Sequence, residues 1–159
     1  MKTQFTLILS LLSLALCYSQ SGKVIKVKDG DTIVVLDSLN HQTTIRLAEV
    51  DCPEKTQAFG SKAKDFTIAQ VATKTVTYQV ISIDRYGRTI AKVFYNNGKY
   101  LSEEIIKFGF GWHYKEYSNS EKLAAQEKNA RKQKLGLWID PAAIPPQVYR
   151  GKKRTNWFY

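Results

Sequence analysis

Three short stretches concentrate the residues able to do polar chemistry. Asp31 follows the turn Asp29-Gly30, and Asp51 and Glu54 flank Pro53. Arg46 stands five residues before Asp51, and Arg88 closes Asp84-Arg85-Tyr86-Gly87-Arg88. Carboxylates offer oxygen ligands to a hard cation such as Ca2+, and they can also orient or deprotonate an attacking water. A planar guanidinium donates two hydrogen bonds to phosphate oxygens and offsets charge that builds on a pentacoordinate phosphorus. Taken singly, Asp31 reads as a turn residue, Arg46 and Arg88 as solvated arginines and Glu54 as a turn cap. Taken together, they form a set suited to phosphoryl transfer, although spacing alone does not decide it.

Other chemistries are less well supplied. His41 and His113 are too few for a two-histidine zinc site of familiar spacing. Cys52 with His113 lacks a local signature of a nucleophile and its base. Gly30, Gly109 and Gly111 lack the spacing and the following Lys-Ser/Thr of a phosphate-cradling loop.

The rest of the chain must position those residues. A hydrophobic share of 43% and a charged share of 24% are globular proportions and exclude wholesale disorder or a low-complexity fibre. A net charge of +10 and an aromatic share of 12%, nine of those residues being Tyr, point to a polyanionic partner, since cations neutralise phosphates and aromatic faces stack on bases.

Lys23–Lys28 and Thr32–Leu36 are β-branched runs joined by Asp29-Gly30, a hairpin signal. Further strands are expected over Gln42–Val50, Thr75–Ile83 and Arg88–Tyr95, the last turned back by Asn96-Asn97-Gly98. Helical spacing predicts Ser61–Ala72, with Ser61 as cap and Ala63, Phe66, Ala69 and Ile68 inward. It also predicts Leu101–Phe108 ending at Gly109, and Ser120–Lys134 ending at Gly136. Strands first and helices interleaved late argue for an α+β domain built on a small β-barrel.

The first residues read differently. Lys2 precedes an apolar run from Phe5 to Leu16 that is too short to span a bilayer, followed by small residues at Cys17 and Ser19. This predicts a signal peptide over 1–19, hence a secreted or periplasmic protein with Cys52 as its sole cysteine. Lipid attachment at Cys17 is the alternative, disfavoured by the bulky Leu16. Residues 20–140 then form the folded domain, and 141–159 a Pro-containing basic C-terminal tail ending near Lys152-Lys153-Arg154.

Lys28-Asp29-Gly30-Asp31-Thr32, Ile45 through Glu54 (IRLAEVDCPE) and Asp84-Arg85-Tyr86-Gly87-Arg88 together resemble the three signature segments of the staphylococcal nuclease (thermonuclease) family. Order and spacing agree, Gly109-Phe110-Gly111-Trp112 and Gly136-Leu137-Trp138 extend the likeness, and it covers about Gly22 to Trp138. The resemblance implies a five-stranded OB-type β-barrel with three α-helices. It implies Ca2+-dependent hydrolysis of DNA and RNA with little sequence specificity, leaving 3'-phosphate ends.

By motif position, Asp31 and Asp51 would bind Ca2+ through their carboxylates and Cys52 through its main-chain carbonyl. Arg46 and Arg88 would hold the phosphate, and Glu54 is the candidate general base. Thr32 and Glu49 would support the ligands, and Tyr86, Tyr114 and Tyr117 are candidate substrate contacts. The resemblance also implies a monomer without a stable protein partner. The first predicted helix follows Glu54 more closely than in the longest family members, whose loop there is basic. The alternative reading, from another class, is a catalytically inactive nucleic-acid-binding OB-fold module.

Overall fold

The computed structural model describes residues 19–155, with the side chains of 152–155 excepted. The predicted signal peptide therefore lies, apart from Ser19, outside the described residues. Among those residues, no helix is long and apolar enough to cross a membrane.

Five strands close a barrel. They are β1 (Ser19–Asp29), β2 (Thr32–Leu36), β3 (Gln42–Leu47), β5 (Thr75–Ile83) and β6 (Thr89–Tyr95), in the order β3-β2-β1-β5-β6. Closure comes from a parallel pairing of β3 with β6, Arg46 opposite Ile90. One long strand serves two neighbours: Ser19–Lys23 pairs with β5, Lys23–Asp29 pairs with β2, and a register shift between Val24 and Lys26 bends it from one to the other.

Alternation along the strands sends Val24, Ile33, Val35, Ile45, Leu47, Val76, Tyr78, Ala91 and Val93 into a common core. Burying each of the larger aliphatic side chains is worth about 1.5–3 kcal/mol.

The strand expected over Gln42–Val50 is interrupted. β3 ends at Leu47, Glu49 takes a left-handed φ of 66°, and a separate two-residue strand β4 (Val50–Asp51) pairs with β8 (Trp112–His113). A further short strand, β7 (Lys99–Tyr100), pairs antiparallel with the end of β6.

Helix α1 (Gly60–Val71) buries Ala63, Thr67 and Val71, whereas Ile68 and Ala69 face solvent. Its N-cap is Phe59, at φ 65°, and not Ser61: the chain must turn sharply after the Glu54 loop, and a Cβ on Gly60 would fall within 2.0 Å of the Glu54 carbonyl oxygen. Helix α2 (Leu101–Lys107) buries Leu101, Ile105 and Ile106. Helix α3 (Glu121–Lys132) is capped by Ser120, whose side chain accepts from the Leu123 N–H.

The three expected helices are joined by a fourth, α4 (Pro146–Thr155), where the sequence read only a basic tail. Proline at its first position fits a helix start, because its missing N–H would have no partner there. A second apolar cluster of Trp112, Ala130, Leu137 and Trp138 lies beside the main core.

Candidate active site

The barrel edge between the β1–β2 turn and the β3–β4 break collects the acidic residues. The Thr67 hydroxyl donates to the Gly30 carbonyl at 2.6 Å, and a Cβ on Gly30 would meet the side chains of Cys52 and Ala63. Only glycine lets the turn sit that close to the loop after β4. Asp31, which follows, is buried, and its Oδ2 accepts the Cys52 N–H at 2.9 Å. Thr32 donates its hydroxyl to Asp31 Oδ1 at 3.2 Å.

Arg46 joins the carboxylates. Its Nη1 lies 3.0 Å from Asp31 Oδ2 and donates to the Leu47 and Val50 carbonyls at 3.0 and 2.9 Å, and its Nη2 donates to Asp51 Oδ1 at 2.8 Å. Burial opposes the guanidinium charge, but Asp31 and then Asp51 outweigh it, so the Arg46 pKa stands above its ordinary value. Burial and then Asp31 raise the Asp51 carboxyl, against the pull of Arg46 and Arg150. Asp29 is pushed up to about 6, first by burial and then by Asp31. The carboxylates are thus crowded, and a cation would relieve that crowding.

Among the described residues no group of three or more His, Cys, Asp and Glu side chains is placed to hold a metal ion. The Asp31 and Asp51 carboxylates, with the Cys52 main-chain carbonyl that the family resemblance adds, would be a different kind of set, all oxygen, suited to a hard cation completed by water. The Cys52 side chain is compatible with that set. It is buried, a Cβ on Gly30 or Gly111 would touch its sulfur, and burial pushes its thiol pKa well up. The thiol belongs to the core.

Glu54 sits on the loop beyond Pro53, half-exposed, its N–H donating to Gln57 Oε1 at 3.1 Å. Arg150 of α4, which sequence reasoning missed, reaches both acids: Nη1 donates to Glu54 Oε1 at 2.7 Å and Nη2 to Asp51 Oδ2 at 3.2 Å. Its one sequence signal is Pro145-Pro146, since a proline fits the first position of a helix.

Arg88 stands two residues before Ile90, the register partner of Arg46, so the closing strand brings it to the Arg46 side of the barrel. Its guanidinium is held by Asp84, Nε to Oδ2 at 2.7 Å, and Gly87 at φ 76° closes the turn. The same carboxylate accepts the Tyr86 and Arg88 N–H groups. Tyr86 is 69% exposed, with the Arg85 and Arg88 guanidinium groups 4.9 and 5.7 Å from its ring centre.

Tyr114 follows β8, and its N–H donates to the Glu49 carbonyl at 2.9 Å. Burial and then the Asp51 charge raise its hydroxyl pKa. Tyr117 packs edge-on against it at 4.9 Å and is exposed.

Glu49 accepts from the hydroxyls of Tyr100 and Ser118, both at 2.8 Å, and pairs with Lys92, so it braces the β3–β4 break.

The profile of the family described as Staphylococcal nuclease homologue matches residues 44–140. The chain belongs to the staphylococcal nuclease family. It is 38% identical over 138 residues to an "Uncharacterized endonuclease" of Escherichia coli, covering 87% of this chain and 90% of that one. It is 36% identical over 154 residues to another of Haemophilus influenzae, covering 97% and 86%. A "Micrococcal nuclease" of Shigella flexneri is 37% identical over 148 residues, covering 85% and 84%. This staphylococcal nuclease relative is accordingly a nuclease, a hydrolase of phosphodiester bonds whose substrates are nucleic acids.

Proposed function

We propose that this nuclease is a Ca2+-dependent enzyme with little sequence specificity, cleaving DNA and RNA to leave 3'-phosphate ends. The observation that supports it most is the clamp of Arg46 on Asp31 and Asp51, with Glu54 tied to the same edge through Arg150. Asp31, Asp51 and the Cys52 carbonyl would hold the ion, which would supply positive charge next to the phosphate and a more acidic water.

The chain's own residues do the rest. Glu54 orients the attacking water and takes its proton. Arg46 and Arg88 hold the phosphate and offset the charge that grows on its oxygens as the pentacoordinate state forms. Tyr86, Tyr114 and Tyr117 provide hydroxyls and ring faces to the nucleotides on either side. These groups address phosphate, sugar and ring faces, which all sequences share, so the specificity is low.

The test incubates single-stranded DNA and RNA with purified 20–159, in Ca2+ or with a chelator. Ca2+-dependent fragments with 3'-phosphate ends support the reading. Tight binding without cleavage in any divalent metal overturns it in favour of a binding module. The protein is also proposed to be exported as a monomer after removal of 1–19. An N-terminus at Gln20 in the secreted protein supports this, and a lipid adduct at Cys17 contradicts it.

A further inference from the structure

Helix α4 brings an unanticipated cation to the acidic edge. We propose that Arg150 is a positioning residue of the active site, holding the Glu54 carboxylate beside Asp51, with α4 as the element that delivers it. Arg150 rests on the reading of Glu54 given above, and it adds a segment beyond the barrel to the working enzyme.

The contacts use the shape of the guanidinium. Nη1 lies 2.7 Å from Glu54 Oε1 and 3.5 Å from Asp51 Oδ1, while Nη2 lies 3.2 Å from Asp51 Oδ2. One planar fork therefore spans two carboxylates that would otherwise repel each other, whereas a lysine nitrogen is a single point charge. The Asp51 side chain is 4% exposed and that of Arg150 is 42% exposed, so one carboxylate is fixed in the barrel wall and the arginine closes over it from outside.

The placement of Arg150 does not depend on these ion pairs alone. The neighbouring Tyr149 hydroxyl donates to the Thr56 carbonyl at 3.0 Å and lies 3.2 Å from the Thr56 hydroxyl. Gln57 Nε2 donates to the Ile144 carbonyl, while its Oε1 accepts the Glu54 N–H. The segment that carries Arg150 is thus anchored to the loop that carries Glu54, from both ends of residues 144–149. A tail arginine that had merely settled on nearby acids would need no such anchorage.

Two effects of opposite sign follow. Arg150 shares Asp51 with any cation bound there, so its removal strengthens cation binding. It also fixes Glu54, so its removal slows turnover.

The experiment compares full-length wild type with Arg150→Ala, Arg150→Lys and Tyr149→Phe, by calorimetric titration with CaCl2, steady-state cleavage of single-stranded DNA in saturating Ca2+, and thermal melting. Arg150→Ala is expected to bind Ca2+ about five-fold more tightly, the scale of an exposed ion pair. It is expected to lose kcat by about ten- to a hundred-fold with little change in KM, the scale of a misplaced catalytic group. Arg150→Lys recovers part of kcat, and Tyr149→Phe lowers it less.

Unchanged or increased kcat in Arg150→Ala would overturn the proposal and make Arg150 an occluding group that substrate displaces. A raised KM with unchanged kcat would overturn it in favour of a substrate contact. If the wild type cleaves nothing, the nuclease reading of the site fails separately. Calorimetry then still judges the contact: tighter Ca2+ binding in Arg150→Ala upholds Arg150 at Asp51, and unchanged affinity removes it.

Discussion

The Cys52 N–H donates to Asp31 Oδ2 across 21 residues of sequence, at 2.9 Å and out of solvent. That bond fastens the β1–β2 turn to the loop that follows β4, so the two candidate metal carboxylates, Asp31 and Asp51, move as one unit. Asp31→Ala would leave the Cys52 N–H buried without this acceptor and the buried Arg46 with one carboxylate fewer. The expected loss is about 1–3 kcal/mol in urea unfolding, the cost of an orphaned buried donor, together with loss of the calorimetric Ca2+ signal. Wild-type Ca2+ affinity in this variant would remove Asp31 from the metal site.

Glu54→Gln keeps the size of the side chain and a donor–acceptor amide but cannot take a proton at neutral pH. Turnover should fall by about 10²–10⁴-fold, while affinity for a single-stranded oligonucleotide stays near that of the wild type. Rates like those of the wild type would exclude Glu54 as the base.

Arg88→Ala removes a cation that Asp84 aims from outside the buried Arg46 clamp. A loss of about 10²–10³-fold in kcat is expected, the cost of removing one transition-state donor. Because Arg88 is partly exposed and not part of the core, the melting temperature should barely move. A lower melting temperature with unchanged kcat would assign Arg88 to the turn alone.

Glu49 gives a pH signature. Burial raises its pKa, but donation from Ser118, Tyr100 and Lys92 outweighs burial, so the folded-state pKa lies below the ordinary 4.5. A depressed carboxylate pKa contributes stability that is fully present above 4.5 and disappears as pH falls through the lower folded value. Glu49→Gln should therefore be less stable than wild type at pH 7 by about 1.5–3 kcal/mol, as for hydrogen bonds to a charged group. The two unfolding curves should converge as pH drops below 4.5. A stability gap that persists in acid would show that Glu49 acts through packing and not through charge.

Thr67, fully buried on α1, donates to the Gly30 carbonyl at 2.6 Å. Thr67→Val keeps the shape and deletes that donor, so unfolding in urea should cost about 1–3 kcal/mol less. Since the Gly30 turn carries Asp31, Ca2+ affinity should weaken as well. A change in stability without any change in Ca2+ affinity would uncouple α1 from the site.

The barrel and most of the polar set are legible along the chain alone. Alternating β-branched runs and Asp-Gly mark the first hairpin, Thr75–Ile83 is a strand with the expected limits, and the helix expected from Ser120 is α3, Glu121–Lys132. These features are legible because hydrophobic period, turn chemistry and capping act over a few residues. The family signature also lies in contiguous stretches, which is why Asp31, Arg46, Asp51, Glu54 and Arg88 could be named together.

The remaining features depend on partners distant in the chain. β3 stops at Leu47 and Glu49 turns aside because Tyr100, Ser118 and Lys92 hold its carboxylate, and none of these is near it in sequence. Phe59 replaces Ser61 as the cap of α1 because the Glu54 loop folds back so closely that only Gly60 fits. Arg150 is 99 residues from Asp51 and 96 from Glu54, in a stretch whose composition resembles a solvated basic tail. Local pattern cannot foresee that ion pair, because its geometry exists only once the barrel has placed the acids and the Thr56 and Gln57 contacts have docked α4 beside them.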